Sequence, residues 1–308
     1  MGVLYVKENV FLCSPNLKKM MMDKKKERLS IRYCTIFIPL ICGLALVFST
    51  CEKNNAENGG TDPEQPELPG NGNGEPWAGV NFTQADVDIL KLYKIYFGHK
   101  SVGGNIVAGI RRISDVNIRT AYNQPDQNDG SLRTNIQQLA GGPAFVEHDI
   151  GSDGRPFDKI ASFERFMNDI IRDNVDVAFF KFCYMDIDAH TDVNALIAAY
   201  QAAIDRLHTR FPKVIIAHFT VPLYSRPASF DNNKREQFSN WLRETYKDKV
   251  FDIATIESVD SKDNTAISWD NITIAMADEW TDDYGHLNEA GQNHIGGALI
   301  AFLAQLFH

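Results

Sequence analysis

Beyond residue 91, apolar runs of strand length alternate with stretches whose apolar residues recur at helical spacing. Residues 92–99, 144–150, 175–185, 213–223 and 250–254 read as strands. The second pair of long runs is apolar on both faces, as buried parallel strands are. Between them, residues 102–113, 158–173, 192–211 and 234–248 carry the helical period, and residues 288–307 close the chain as a helix. Strict strand–helix alternation predicts an α/β fold: a central parallel sheet with helices on both faces, in three α/β/α layers. In such folds, reactive groups collect at the carboxyl ends of the strands.

The N-terminal quarter has a different pattern. A basic stretch at residues 24–28 precedes an apolar run over 33–48, the layout of an export signal. The run ends in Val47-Phe48-Ser49-Thr50-Cys51, which resembles a bacterial lipoprotein signal with Cys51 as the lipidated residue. An uncleaved anchor helix is the alternative, and both readings put the remainder outside the cytoplasm. Residues 1–19 fit neither a signal nor a domain, so a start at Met20, Met21 or Met22 is expected. Residues 52–79 are rich in Gly, Pro, Asn and Glu and nearly lack aliphatics, the composition of a flexible tether. The organisation is therefore an extension plus signal over 1–51, a tether over 52–79 and one folded domain over 80–308.

Charge and cysteine content follow this division. Residues 1–50 hold 8 Lys and Arg against 3 Asp and Glu, which leaves 23 against 37 and a net charge of −14 in the rest. So acidic a surface repels phosphate backbones, and no nucleic-acid partner is expected. Of the cysteines, Cys13, Cys34 and Cys42 precede the cleavage point and Cys51 takes the lipid. Cys183 alone remains and reads as a small core residue. His190, His208, His218 and His294 lack ligand spacing, so no metal or other cofactor is expected.

Three stretches carry candidate chemistry. Ser101 follows the first strand and opens a helix, so its hydroxyl and its own N–H lie at the reactive edge of the sheet. A helix N-cap is the other reading of Ser101. Gly151 and Gly154 flank the turn after the second strand, where a missing Cβ lets backbone approach a ligand or simply makes a loop. Asp283 and His286 stand just before the last helix, where acidic residues and Asn288 could also serve only as a helix start.

Taken together, these stretches resemble the SGNH (GDSL-type) hydrolase superfamily of serine esterases. Asp283-Tyr284-Gly285-His286 is similar to its late D-x-x-H block, and Gly151-Ser152-Asp153-Gly154 to its second block. The resemblance runs from about Lys91 to the C-terminus. It implies a flavodoxin-like three-layer fold, a Ser101–Asp283–His286 triad and an oxyanion contact from the N–H of Gly154. Two blocks depart from the family. The first reads Gly98-His99-Lys100-Ser101 in place of G-D-S, and the third reads Cys183-Tyr184-Met185-Asp186 in place of G-x-N-D. Met185 thus stands where an asparagine donor is expected, and a thioether donates no hydrogen bond. Asn105, one helical turn beyond Ser101, is the first candidate for the missing donor, and His99 the second.

The resemblance implies an exported, lipid-anchored envelope esterase that removes ester groups, O-acetyl first among them, from carbohydrate. The alternative is a non-catalytic glycan-binding or envelope-interaction protein with a degenerate site. The anchor has a direct check. Cys51→Ser should release the protein from the membrane fraction, whereas a membrane-bound, uncleaved variant would establish the anchor helix instead.

Overall fold

The computed structural model describes residues 82–121, 142–225, 231–262, 264–267 and 274–308. The signal, Cys51 and the tether lie outside the described residues, as do residues 80 and 81. Six parallel strands form the sheet: β1 (Lys94–His99), β2 (Ile118–Ala121), β3 (Ala144–Asp149), β4 (Val177–Phe180), β5 (Ile215–Phe219) and β6 (Val250–Phe251). Their order is β2-β3-β1-β4-β5-β6. The helices are α1 (Gln84–Leu90), α2 (Val102–Ile113), α3 (Pro156–Phe166), α4 (Val193–Arg210), α5 (Asn232–Tyr246), α6 (Ile253–Ser258) and α7 (Glu289–Gln305). The expected α/β fold with a parallel sheet is the fold observed.

Strand alternation sorts the core into two layers. Ile95, Phe97, Val177 and Phe179 point into one with α1, α2 and α7 residues, while Tyr96, Ala178 and Phe180 point into the other with α3, α4 and α5 residues. β1 lies centrally, paired with β3 on one side and β4 on the other. The helix after β1 covers one face and the helices after β3 and β4 cover the opposite face. The strand ends therefore part at β1 and open a crevice there.

Some elements differ from the sequence expectation. The predicted strand over 175–185 stops at Phe180. Lys181 N–H still reaches Gly98 O at 3.2 Å, but the chain then bends into a 3₁₀ turn, Tyr184–Asp186, whose Asp186 carboxylate takes the Cys183 N–H at 2.6 Å. The run over 213–223 likewise leaves the sheet after Phe219, because Ser239 Oγ and the Glu257 carboxylate accept the N–H groups of Val221 and Leu223. The sequence reading missed β2 and α1. For α1 a signal existed, a capping box in which Thr83 and Asp86 satisfy each other's backbone N–H.

α7 is apolar on every side and buried from Ile295 to Ala304. It meets α2 backbone to backbone. A Cβ at Gly109 would collide with the Gln292 carbonyl, and one at Gly296 would stand 2.9 Å from Ile110 N. Arg112 binds Asn293 Oδ1 at 2.6 Å and Gln292 Oε1 at 3.2 Å at the exposed margin. Gly109→Ala therefore forces the two helices apart. Despite the better helix propensity of alanine, we expect it to lower unfolding free energy by about 1–3 kcal/mol, measured by urea denaturation at unchanged m-value.

Candidate active site

Ser101 occupies the turn between β1 and α2 with φ 53° and ψ −112°. A non-glycine residue with positive φ costs on the order of 1–3 kcal/mol, so the surrounding structure imposes it. The Ser101 hydroxyl makes no cap to its helix. Instead its Oγ lies 2.7 Å from His286 Nε2, across 185 positions of sequence. The N-cap reading of Ser101 therefore does not describe its side chain.

His286 is braced from behind. Its Nδ1 lies 2.8 Å from Asp283 Oδ2, while Asp283 Oδ1 accepts the N–H groups of His286 at 2.7 Å and Gly285 at 3.1 Å. One oxygen of Asp283 thus fixes the turn and the other fixes the ring. Burial opposes the charge on Asp283, but the His286 and Gly285 donors outweigh it and hold the carboxyl at about pKa 2. A permanently charged acceptor at Nδ1 places the ring proton there and leaves Nε2 as the acceptor facing Ser101. Asn288 does cap α7, through Gly291 N at 3.0 Å, so this segment both starts a helix and carries the pair.

The oxyanion side departs from expectation. The N–H of Gly154 does not stand open: it donates to Asp186 Oδ1 at 2.8 Å. Asp186 is a three-way clamp, since its Oδ2 also accepts Cys183 N at 2.6 Å and Lys159 Nζ at 2.5 Å. The Lys159 and Asp186 side chains are both wholly buried, and Lys159 holds Asp153 as well, at 2.9 Å. A buried lysine needs carboxylate partners, and the two nearest come from the Gly154 turn and the β4 exit. Their pairing ties these loops together and takes up the Gly154 donor.

His99 is also committed elsewhere. It is buried, with Nε2 at 2.8 Å from Glu147 Oε2. Burial works against the charge of Glu147, but His99, Thr120 and Arg111 hold the carboxyl below its usual range. The ring lies beneath α2, where Gly103 leaves it room. Through Nε2 it brackets β1 to β3, while its Nδ1 is buried without a hydrogen-bond partner. Asn105 remains. It sits on α2 four residues after Ser101, hence on the same helix face. Its Oδ1 is buried without a partner, and no hydrogen bond engages its amide among the described residues. No hydrogen bond engages the Ser101 N–H among the described residues either. Met185 projects into solvent, 52% exposed, and takes no part.

The sequence reading passed over three participants. The Tyr184 ring stands edge-on to His286 at 5.5 Å, with its hydroxyl 3.4 Å from Nδ1, a contact that needs Gly285 because a Cβ there would meet the tyrosine ring. Arg235, buried on α5, donates to Tyr184 O at 2.7 Å and so holds the β4 exit from the other side. Lys159 had a visible signal: it occupies an apolar-face position of α3 beside Pro156, Ile160 and Phe163. Among the described residues no cluster of side chains could hold a metal ion.

No protein-family model matches the chain, and no curated protein matches it in sequence. Among solved structures, a carbohydrate esterase family 3 protein from Talaromyces cellulolyticus is similar at 14% identity and TM-score 0.39, over 70% of this chain and 97% of its own. A lipolytic protein of the G-D-S-L family from Desulfitobacterium hafniense is similar at 13% identity and TM-score 0.40, over 68% and 99%. An acetyl esterase variant with acetate ion is similar at 14% and 0.39, over 69% and 96%. Two of these three are named as esterases. The likenesses are distant.

The Asp186 clamp can be tested without any assay of activity. Asp186→Ala strands a buried Lys159 with Asp153 alone, and breaking such a pair costs about 3–5 kcal/mol. Chemical denaturation should show a loss of that order, while a change below about 1 kcal/mol would mean that the clamp contributes little net stability.

Proposed function

We propose that this chain is a serine esterase in which Ser101 is the nucleophile, His286 the general base and Asp283 the residue that orients it. One observation carries the reading: the unbroken hydrogen-bonded line from Ser101 Oγ through the His286 ring to Asp283, at 2.7 and 2.8 Å, on a serine held at positive φ. In the proposed reaction, Ser101 Oγ attacks the ester carbonyl as its proton passes to His286 Nε2. Asp283 stabilises the imidazolium that forms. The imidazolium returns the proton to the departing alkoxide, and water, deprotonated by the same nitrogen, then releases the acid from Ser101. The developing oxyanion is met by the Ser101 N–H at the start of α2 and by the Asn105 amide.

The substrate is proposed to be an acyl ester, O-acetyl first, on carbohydrate. The resemblance of the sequence blocks supports this, as does an exposed reacting centre, with the His286 side chain 42% and the Asp283 side chain 57% accessible, which admits a bulky alcohol portion. Export and lipid anchoring at Cys51 belong to the same proposal. A second reading, a glycan-binding protein with an inactive site, is favoured by the engagement of Gly154 with Asp186 and by Met185 in place of asparagine.

Release of acetate from acetylated xylan, measured across variants, separates the two. Ser101→Ala should abolish turnover. Asn105→Ala should lower kcat by roughly 10²–10³-fold with little change in KM. An unchanged kcat would remove Asn105 from the oxyanion hole. A wild-type protein that releases no acid from any ester would leave the glycan-binding reading.

A further inference from the structure

Beside the reacting centre lies a second feature, a cleft of about 410 Å³ between the first turn of α3 and the start of α4. It adjoins the triad through consecutive residues: Tyr184 packs on His286, and two positions on, Asp186 forms part of the cleft wall opposite Gly154. Its size suits one ring-sized group. Phe157 stands in it with 49% of its surface exposed, although Pro156, Lys159 and Ile160 around it on α3 are buried. The Phe157 ring is thus presented outward, into the cleft.

The charges of the lining are spoken for. The cation at the rim, Arg155, pairs with Asp158 at 3.4 Å. Asp192 caps α4 through Ala195 N at 3.0 Å, and Asp188 accepts the His190 N–H at 2.9 Å and the Thr191 hydroxyl at 3.1 Å. Asp186 is satisfied by Lys159, Gly154 and Cys183. With Asp186 balanced by buried Lys159, the three exposed carboxylates of Asp158, Asp188 and Asp192 against the Arg155 guanidinium repel an anionic ligand. The exposed carboxylates of Asp158, Asp188 and Asp192 keep lone pairs that accept hydroxyl protons. A flat apolar face with carboxylate acceptors around it fits a ring with a C–H face and peripheral hydroxyls.

We propose that this cleft is the subsite for the sugar ring of the substrate, and that it selects neutral or amino sugars over uronic acids, with Phe157 as the stacking face. The substrate side of this assignment rests on the esterase reading above, but its test does not need turnover. The full chain is titrated calorimetrically with unesterified xylo-oligosaccharide and, separately, with oligogalacturonate of the same length. Wild type should bind the neutral oligosaccharide and not the uronate. Phe157→Ala should weaken that binding about tenfold at unchanged melting temperature. Asp158→Lys, at an exposed position, should raise the affinity for oligogalacturonate. Equal binding of both oligosaccharides, binding of neither, or full affinity in Phe157→Ala would overturn the proposal. A fatty-acid chain competing at the cleft would reassign it to the acyl group. If wild type binds the sugar in this way yet hydrolyses no ester, the subsite stands and the esterase reading falls.

Discussion

The contact of α2 with α7 at Gly109 and Gly296 is the constraint on which the site depends. The nucleophile candidate opens one of these helices and the base candidate immediately precedes the other. The two lie 185 positions apart, so tertiary packing sets their distance. A hydrogen bond of 2.7 Å tolerates an error of a few tenths of an ångström. Helices lined by ordinary side chains pack 8–10 Å apart on average, and each added methylene would displace Ser101 relative to His286. Backbone contact through glycine removes that freedom, and burial of the continuous run Ile295–Ala304 holds α7 in place.

Two aspartates then share the finer positioning. Asp283 spends one oxygen on its own turn and the other on the His286 ring, so the ring cannot rotate without breaking the turn. Asp186 does the same for the opposite wall, joining the Gly154 turn, the β4 exit and buried Lys159. The second clamp has a chemical consequence. It engages the Gly154 N–H, so in the proposed reaction the donors left for an oxyanion are the Ser101 N–H and the Asn105 amide.

Much of this was legible in the sequence, for identifiable reasons. The helices over 102–113 and 192–211 and the core of each long strand carry periodic apolar patterns, and these depend only on local burial. Ser101, Asp283 and His286 could be picked out because each sits at a strand end or helix start within a recognisable block. Strand ends were overextended because the acceptors that draw the chain off the sheet, Ser239, Glu257 and Asp186, act across turns or distant sequence. The hydrogen bonds that engage Gly154 and His99 were not legible for a similar reason. Their partners, Asp186 and Glu147, lie 32 and 48 positions away, and nothing local announces either bond. Strand β2 is short and only half-buried, so its apolar signal is weak.

The central claim is that Ser101 carries a hydroxyl activated by His286. The most direct measurement is covalent labelling of the full chain with a fluorophosphonate probe, which reacts with serines activated as nucleophiles, followed by mass-spectrometric mapping of the modified peptide. The geometry predicts one label per chain, on Ser101, lost when His286 is changed to Ala while the fold persists by circular dichroism. A label on a different serine, or no label on a folded chain, would contradict the account.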